Sequence, residues 1–285
     1  MPRIAYVNGR YLPHAQAVVH IDDRGYQFAD GVYEVIHVRD RRLIDADPHF
    51  DRFDFSLGEL KIAPPMGRAA LRLVLAELLI RNDIANGLIY FQSTRGVAPR
   101  DHKFPSRAKT SLVATARRLR PLPASVHENG VAVVSIPDIR WQRCDIKSLA
   151  LLPNILGKQR AAEQGAYEAW QVDARGFVTE GTSTNAWIVT PGGRLITRPL
   201  THSILAGIVR RSLLGLVDGL ANGFEERAFS LAEARDASEA FLTSSSGFLL
   251  PVTRLDGQSV GNGKVGPVTR ELRRRMDAYV SGGNS

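Results

Sequence analysis

Six lysines are scattered through a chain of 285 residues, and one of them stands in a setting that suits covalent chemistry. Lys147 lies in Arg143-Cys-Asp-Ile-Lys-Ser148, after the strand-like 131–141 stretch, and the apolar run 149–152 follows it. Lysine normally seeks water, so a lysine drawn into such a segment either snorkels from a strand edge or is partly buried. A buried ammonium gives up its proton more readily and becomes a nucleophile. Glu180, in Thr179-Glu-Gly-Thr-Ser-Thr-Asn185, suits a capped turn. It equally suits a carboxylate aimed at a ring nitrogen, with hydroxyls and backbone N–H groups nearby for phosphate. Gly207, before Ile208-Val209-Arg210, is either a plain helix start or a place where an anion reaches bare N–H groups. The hydroxyls of Thr243-Ser-Ser-Ser246 suit phosphate oxygens, or any loop. There is no glycine-rich dinucleotide motif, no P-loop and no histidine pair at metal-binding spacing.

A lysine for an imine, a carboxylate for a pyridinium, and guanidinium, hydroxyl and helix-start groups for a phosphate are together the parts of a pyridoxal 5′-phosphate (PLP) site. The elements that must position them read as follows. Ile4 to Leu12 is a hairpin around Asn8-Gly9. Extended runs cover 33–38, 42–44, 87–94 and 111–117. Helical spacing covers 48–61 and, more clearly, 66–82, where Leu71, Val74, Leu75, Leu78 and Leu79 recur at three and four. Arg120-Pro-Leu-Pro123 breaks the pattern and is the best domain boundary. Beyond it come a strand at 131–136, a helix at 153–164, hairpins at 168–179 and 185–197, helices at 207–220, 231–235 and 265–279, and a strand at 240–242. The expectation is two α+β domains: residues 1–119, a proline-rich linker at 120–124, and residues 125–285 carrying the lysine.

Composition narrows the class. With 44% hydrophobic and 23% charged residues the chain has the make-up of a globular protein. Its longest apolar stretch, Leu71 to Ile80, is interrupted by Arg72 and Glu77, short of the ~18 residues of a membrane span. The first residues lack the apolar core of a secretory signal, and the single Cys144 can form no internal disulfide. The cytoplasm is the expected compartment. The net charge of +8 raises nucleic-acid binding as an alternative of another class. The arginines are dispersed, however, without basic blocks interleaved with aromatics.

Four runs carry a family resemblance: Asp23-Arg-Gly-Tyr-Gln-Phe-Ala-Asp-Gly-Val-Tyr-Glu34, Arg140-Trp-Gln-Arg-Cys-Asp-Ile-Lys-Ser148, Asn154-Ile-Leu-Gly-Lys-Gln159 and Thr179-Glu-Gly-Thr-Ser-Thr-Asn185. Together they resemble the class IV (fold type IV) PLP-dependent aminotransferases, most closely the bacterial D-amino-acid aminotransferases. The likeness runs in order from Tyr6 to Arg274. It implies an α+β fold of two domains with the cofactor at their interface, and a homodimer whose subunits can border each other's sites. It implies that Lys147 is the Schiff-base lysine, whereas Lys158 and Lys264 are not. By the same likeness Glu180 pairs with the pyridine nitrogen and Leu205 packs on the ring face. Arg52, Gly207, Ile208 and Val209 hold the phosphate together with Ser244 and Ser245. Tyr33, Arg100 and His102 form a substrate-carboxylate trap.

The implied reaction moves the amino group of a D-amino acid to a 2-oxo acid in a ping-pong sequence. Two positions depart from the pattern: Asp101, where a small residue is expected, and Gly247-Phe-Leu-Leu250, where a more polar stretch is common. They leave an (R)-selective amine aminotransferase as a rival. A branched-chain aminotransferase is another rival, although a Tyr-X-Arg-Pro type strand would stand where this chain has Tyr90-Phe-Gln-Ser-Thr-Arg95. An aminodeoxychorismate lyase shares the fold and the lysine but eliminates pyruvate.

Overall fold

The computed structural model describes residues 3–220 and 222–282. The chain forms two compact units. The first comprises Met1–Arg120 with Ile146–Ala150, and the second Pro121–Asp145 with Leu151–Ser285. Among the described residues no helix is long and apolar enough to cross a membrane.

The first unit contains β1 (Ile4–Val7), β2 (Arg10–Pro13), α1 (Arg24–Phe28), β3 (Gly31–Arg39), β4 (Arg42–Leu43), α2 (Ala46–Glu59), α3 (Arg68–Arg81), β5 (Gly87–Thr94) and β6 (Ser111–Arg118). Its six strands form an antiparallel sheet in the order β2-β1-β6-β5-β3-β4. The Asn8-Gly9 turn pairs Val7 with Arg10, as the dipeptide predicts. Phe50, Phe53 and Leu57 of α2 and Leu71, Leu75, Leu78 and Leu79 of α3 pack on Val32, Ile36, Ile89 and Phe91. The three-and-four spacing in the helices meets the alternation in the strands, which is why this half is readable. In β3 every second residue from Val32 to Val38 is buried, and Glu34 sits in that row. Helix α1 has only five residues, too few to show periodicity; the Asp23 side chain caps it by accepting from the Gly25 N–H at 2.8 Å.

The second unit contains α4 (Ala124–Asn129), β7 (Val131–Pro137), α5 (Leu152–Glu163), β8 (Glu168–Val172), β9 (Val178–Gly181), β10 (Asn185–Val189), β11 (Leu195–Thr197), α6 (Ile208–Leu214), β12 (Phe224–Glu226), α7 (Leu231–Arg235), β13 (Glu239–Ser244), β14 (Phe248–Leu255), β15 (Gln258–Ser259) and α8 (Pro267–Val280). The mixed sheet runs β12-β11-β10-β13-β14-β7-β8-β9, with β15 on β14. Its core holds Trp170, Phe229, Leu242 and Leu250. Two expectations change. The helix expected over 207–220 ends at Leu214 with Gly215 as its C-cap, and the left-handed Gly219 (φ +70°) keeps the chain beyond it from resuming the helix. Residues 248–255 form a strand, with Ser245-Ser246-Gly247 as the turn between β13 and β14.

The lysine follows the proline-rich connection in sequence, but residues 146–150 pair with the first unit. Tyr33 N–H donates to the Lys147 carbonyl at 3.0 Å, Leu149 N–H to the Gly31 carbonyl at 3.0 Å, and Lys147 N–H to Ser56 Oγ at 3.2 Å. Gly31 makes this approach possible. A Cβ there would lie 2.6 Å from the Ser93 carbonyl oxygen and 2.8 Å from Leu149 Cδ1.

Candidate active site

In the first unit Lys147 is half-buried, and its Nζ lies over the Tyr33 ring, 4.3 Å from the centroid. That ring meets Tyr90 at 5.6 Å. Burial and the neighbouring Tyr33 push the Tyr90 phenol up to about 12. Beside them a buried triad forms. Glu34 accepts from Arg52 Nε at 2.7 Å and Nη2 at 2.8 Å, and His49 Nδ1 lies 2.7 Å away. Burial opposes Glu34's charge, but the Arg52 guanidinium and the His49 ring outweigh it and hold the carboxyl at about 2. Burial pushes His49 below the usual imidazole value, against the pull of Glu34. The bidentate grip on Glu34 fixes the orientation of Arg52.

Arg100 and His102 are exposed and share a partner absent from the sequence reading, the ring of Phe28. The Arg100 guanidinium carbon lies 4.6 Å from its centroid and the His102 ring 5.5 Å. Tyr33 has a different partner, Lys147. The loop carrying Arg100 is tied to the body of the unit. Arg24 donates to the Asp101 carbonyl and, at 2.7 Å, to Asp30, which also accepts from Arg95 at 2.8 and 3.0 Å. The Asp101 carboxylate accepts from the Lys103 N–H at 3.2 Å. The ion pairs among the described residues include none between Asp101 and Arg100.

In the second unit Glu180 is buried near the end of β9. Arg140 Nη1 donates to its Oε1, Asn185 Nδ2 to its Oε2 at 2.9 Å, and the Leu205 N–H to both oxygens at 3.1 and 3.2 Å. Arg140 is gripped in turn by Asp138, through Nε at 3.0 Å and Nη2 at 2.8 Å, and Thr179 Oγ1 donates to Asp138 at 2.7 Å. Burial works against the Asp138 charge, yet Arg140 and Thr179 keep its carboxyl below the ordinary range. Asn185 Nδ2 also donates to the Leu205 carbonyl at 3.0 Å, so one amide ties Glu180 to the loop that enters α6. That loop needs Gly207, because a Cβ there would collide with Asn185 Oδ1. Gly207 also gives α6 no side-chain cap, leaving the Ile208 and Val209 N–H groups without an intrahelical partner. Asn185 lies opposite Thr243 in the β10–β13 ladder, so Ser244 and Ser245 follow directly on its cross-strand neighbour.

Glu180, Leu205 and Gly207 thus meet at Asn185, and Ile208 and Val209 follow Gly207 as the first residues of α6. Four hydroxyls of the two hydroxyl-rich runs are engaged elsewhere. Thr243 Oγ1 accepts from Trp187 Nε1 at 3.0 Å inside the core. Thr182, Ser183 and Thr184 point their hydroxyls at Glu168. Nothing in the sequence singles out Arg140 and Asn185 as partners of Glu180, although both stand in the family-like motifs, nor Asp138, Glu34 and Phe28 as contacts. Only Asp138 lies outside every quoted motif.

The sequence model of the family Amino-transferase class IV matches residues 31–255. The D-alanine aminotransferase of Staphylococcus haemolyticus is 38% identical over 281 residues, 98% of this chain and 99% of that protein. The branched-chain amino acid aminotransferase of Escherichia coli superposes with a TM-score of 0.91 at 22% identity, covering 100% of this chain and 97% of that one. The branched-chain enzyme of Thermobaculum terrenum in its PLP-form gives 0.84 at 23% identity, covering 99% and 95%. The chain belongs to the class IV aminotransferases, and its α+β fold is the fold type IV architecture.

Proposed function

We propose that the protein is a PLP-dependent transaminase. It takes the amino group from D-amino acids such as D-alanine and D-glutamate and passes it to a 2-oxo acid. The observation that carries this reading is the near-full-length match to a D-alanine aminotransferase, joined to a half-buried lysine in the matching motif. The residues fit the cofactor. Glu180 presents a buried, multiply bonded carboxylate suited to a ring N–H. The start of α6 offers N–H groups with no intrahelical partner or side-chain cap, and no Cβ at Gly207, as suits a phosphate.

When bound, PLP supplies an electron sink for the charge that develops at the substrate α-carbon. Lys147 would hold it through Nζ, and the same amine would carry the proton at the α-carbon. Glu180, kept in place by Arg140 and Asn185, would accept from the ring nitrogen. Gly207, Ile208 and Val209, the hydroxyls of Ser244 and Ser245, and Arg52 would hold the phosphate, and Leu205 would pack against the ring. Tyr33, Arg100 and His102 fix the substrate carboxylate, which decides which enantiomer presents its hydrogen to Lys147. The donor leaves as a 2-oxo acid before the acceptor binds, so the kinetics are ping-pong. Working in the cytoplasm as a homodimer belongs to the same proposal. The exposed apolar side chains of Leu152, Ile155 and Leu156 on α5 support a partner surface.

The test is a donor panel of D-alanine, D-glutamate, L-leucine and (R)-1-phenylethylamine, with wild type and Arg100→Ala. A charge-assisted carboxylate contact contributes ~1.5–3 kcal/mol, so the substitution should cost about 10- to 150-fold in kcat/KM for D-amino acids. It should leave the amine nearly unaffected. L-leucine as the best donor would replace this reading with the branched-chain one. An amine as best donor, with a silent mutation, would replace it with the amine one.

A further inference from the structure

The run Asn154-Ile-Leu-Gly-Lys-Gln159 touches none of the groups assigned above to cofactor or substrate, yet three of its residues share one face of α5. Asn154, Gly157 and Lys158 stand at i, i+3 and i+4, and all three address the 182–184 turn or the carboxylate beneath it. Asn154 Nδ2 donates to the Thr182 carbonyl at 2.8 Å. Gly157 lets α5 press on the same residue, since a Cβ there would lie 2.9 Å from Thr182 Cγ2. Lys158 Nζ lies 3.7 Å from Glu168 Oε2 and donates to the Tyr167 carbonyl.

Glu168, in β8, has no exposed surface. A carboxylate there must be answered by donors, because each unpaired acceptor would carry its full desolvation cost. Its Oε1 accepts from the Ala169 N–H at 2.9 Å and from Thr182 Oγ1. Its Oε2 accepts from Ser183 Oγ at 3.0 Å and from Thr184 Oγ1 at 3.4 Å. Three consecutive hydroxyls are thereby drawn onto one carboxylate. The turn is closed by the Gly181 N–H donating to the Thr184 carbonyl at 2.7 Å, and stitched to β8 by the Thr182 N–H donating to the Ala169 carbonyl at 3.1 Å.

The residues flanking this turn are Glu180 and Asn185, which bond each other at 2.9 Å. The turn therefore sets the separation and orientation of the two groups that define the ring-nitrogen end of the site. We propose that Glu168, with the Asn154–Gly157–Lys158 face of α5, is a positioning clamp for Glu180. It acts through the Thr182–Thr184 turn and touches neither cofactor nor substrate. This rests on the assignment of Glu180 to the PLP ring nitrogen.

Glu168→Gln keeps the shape of the side chain but turns one acceptor into a donor facing hydroxyls. Displacement of a reacting group by about 1 Å is enough for roughly 100-fold in rate. The variant should lower kcat about 10- to 100-fold with little change in KM. It should also move the pH at which the absorbance of bound PLP titrates. Both effects should nearly vanish when Glu168→Gln is made in a Glu180→Gln background, because the group being positioned is already gone. Lys158→Met, which leaves the carboxylate and its hydroxyls in place, should show a weaker form of the same pattern and serves if Glu168→Gln does not fold. A lowered melting temperature with unchanged kcat and titration would overturn the clamp. So would effects that multiply independently in the Glu180→Gln background. A wild-type protein that binds no PLP would instead overturn the functional reading on which the clamp rests.

Discussion

Replacing Glu34 with glutamine should remove about 3 kcal/mol of stability at pH 7. The Glu34 carboxyl is held at about 2 against an ordinary value of 4.5. That gap of 2.5 corresponds to about 3 kcal/mol at ~1.36 kcal/mol per unit. The same range follows from removing one partner of a buried ion pair, roughly 3–5 kcal/mol, since Arg52 and His49 would keep their donors in the core with no carboxylate to meet them. The sign with pH is fixed by the direction of the shift. A depressed carboxyl contributes fully above its unfolded value of 4.5 and loses that contribution as pH falls towards 2. His49, pushed below the ordinary imidazole value by burial, acts in the same direction and begins to destabilise as pH drops below 6.5. Urea unfolding of wild type and variant, at equal cofactor content, should show the full gap at pH 7 and less than about half of it at pH 3. Replacing both Glu34 and Arg52 with methionine should recover part of the loss in the cofactor-free protein, because no buried charge is then left alone and only the His49 donor lacks its carboxylate. A Glu34→Gln protein within about 0.5 kcal/mol of wild type at pH 7, or a gap that widens on acidification, would refute the reasoning.

Two further substitutions probe the second unit. Glu180→Gln should retain PLP but slow α-proton removal by about 10-fold or more, read as a larger isotope effect with α-deuterated D-alanine; unchanged turnover would reduce Glu180 to a structural role. Gly207→Ala drives a methyl group into Asn185 Oδ1, and should weaken PLP binding by about 10-fold or more through loss of the α6 entry geometry, measured by fluorescence titration; wild-type affinity would remove that loop from the phosphate site.

The parts of this protein that could be read from sequence are those governed by local rules. The Asn8-Gly9 hairpin, the apolar stripes of α2 and α3 and the strands over 87–94 and 168–172 follow from turn chemistry and periodicity. Short elements such as α1 and β12 escape because too few residues show a period. Lys147 and Glu180 stand out by residue type, and the family resemblance gives them roles. Their supporting partners do not stand out. Asp138 reaches Glu180 through Arg140, Glu34 meets Arg52 across 18 positions, and Glu168 collects hydroxyls 14 to 16 positions away. The triple-hydroxyl run is the instructive case. Its composition suits phosphate, but a buried carboxylate on a neighbouring strand claims all three groups, and no local pattern reports that strand's proximity.

Reductive trapping tests the central claim most directly. Incubation with PLP, treatment with borohydride and peptide mass analysis should place the phosphopyridoxyl group on the peptide containing Lys147. The other five lysines, Lys61, Lys103, Lys109, Lys158 and Lys264, should stay unlabelled, and Lys147→Ala should give neither label nor pyruvate from D-alanine and 2-oxoglutarate. A label centred on another lysine, or a Lys147→Ala protein that still converts D-alanine at near wild-type rate, would contradict the account.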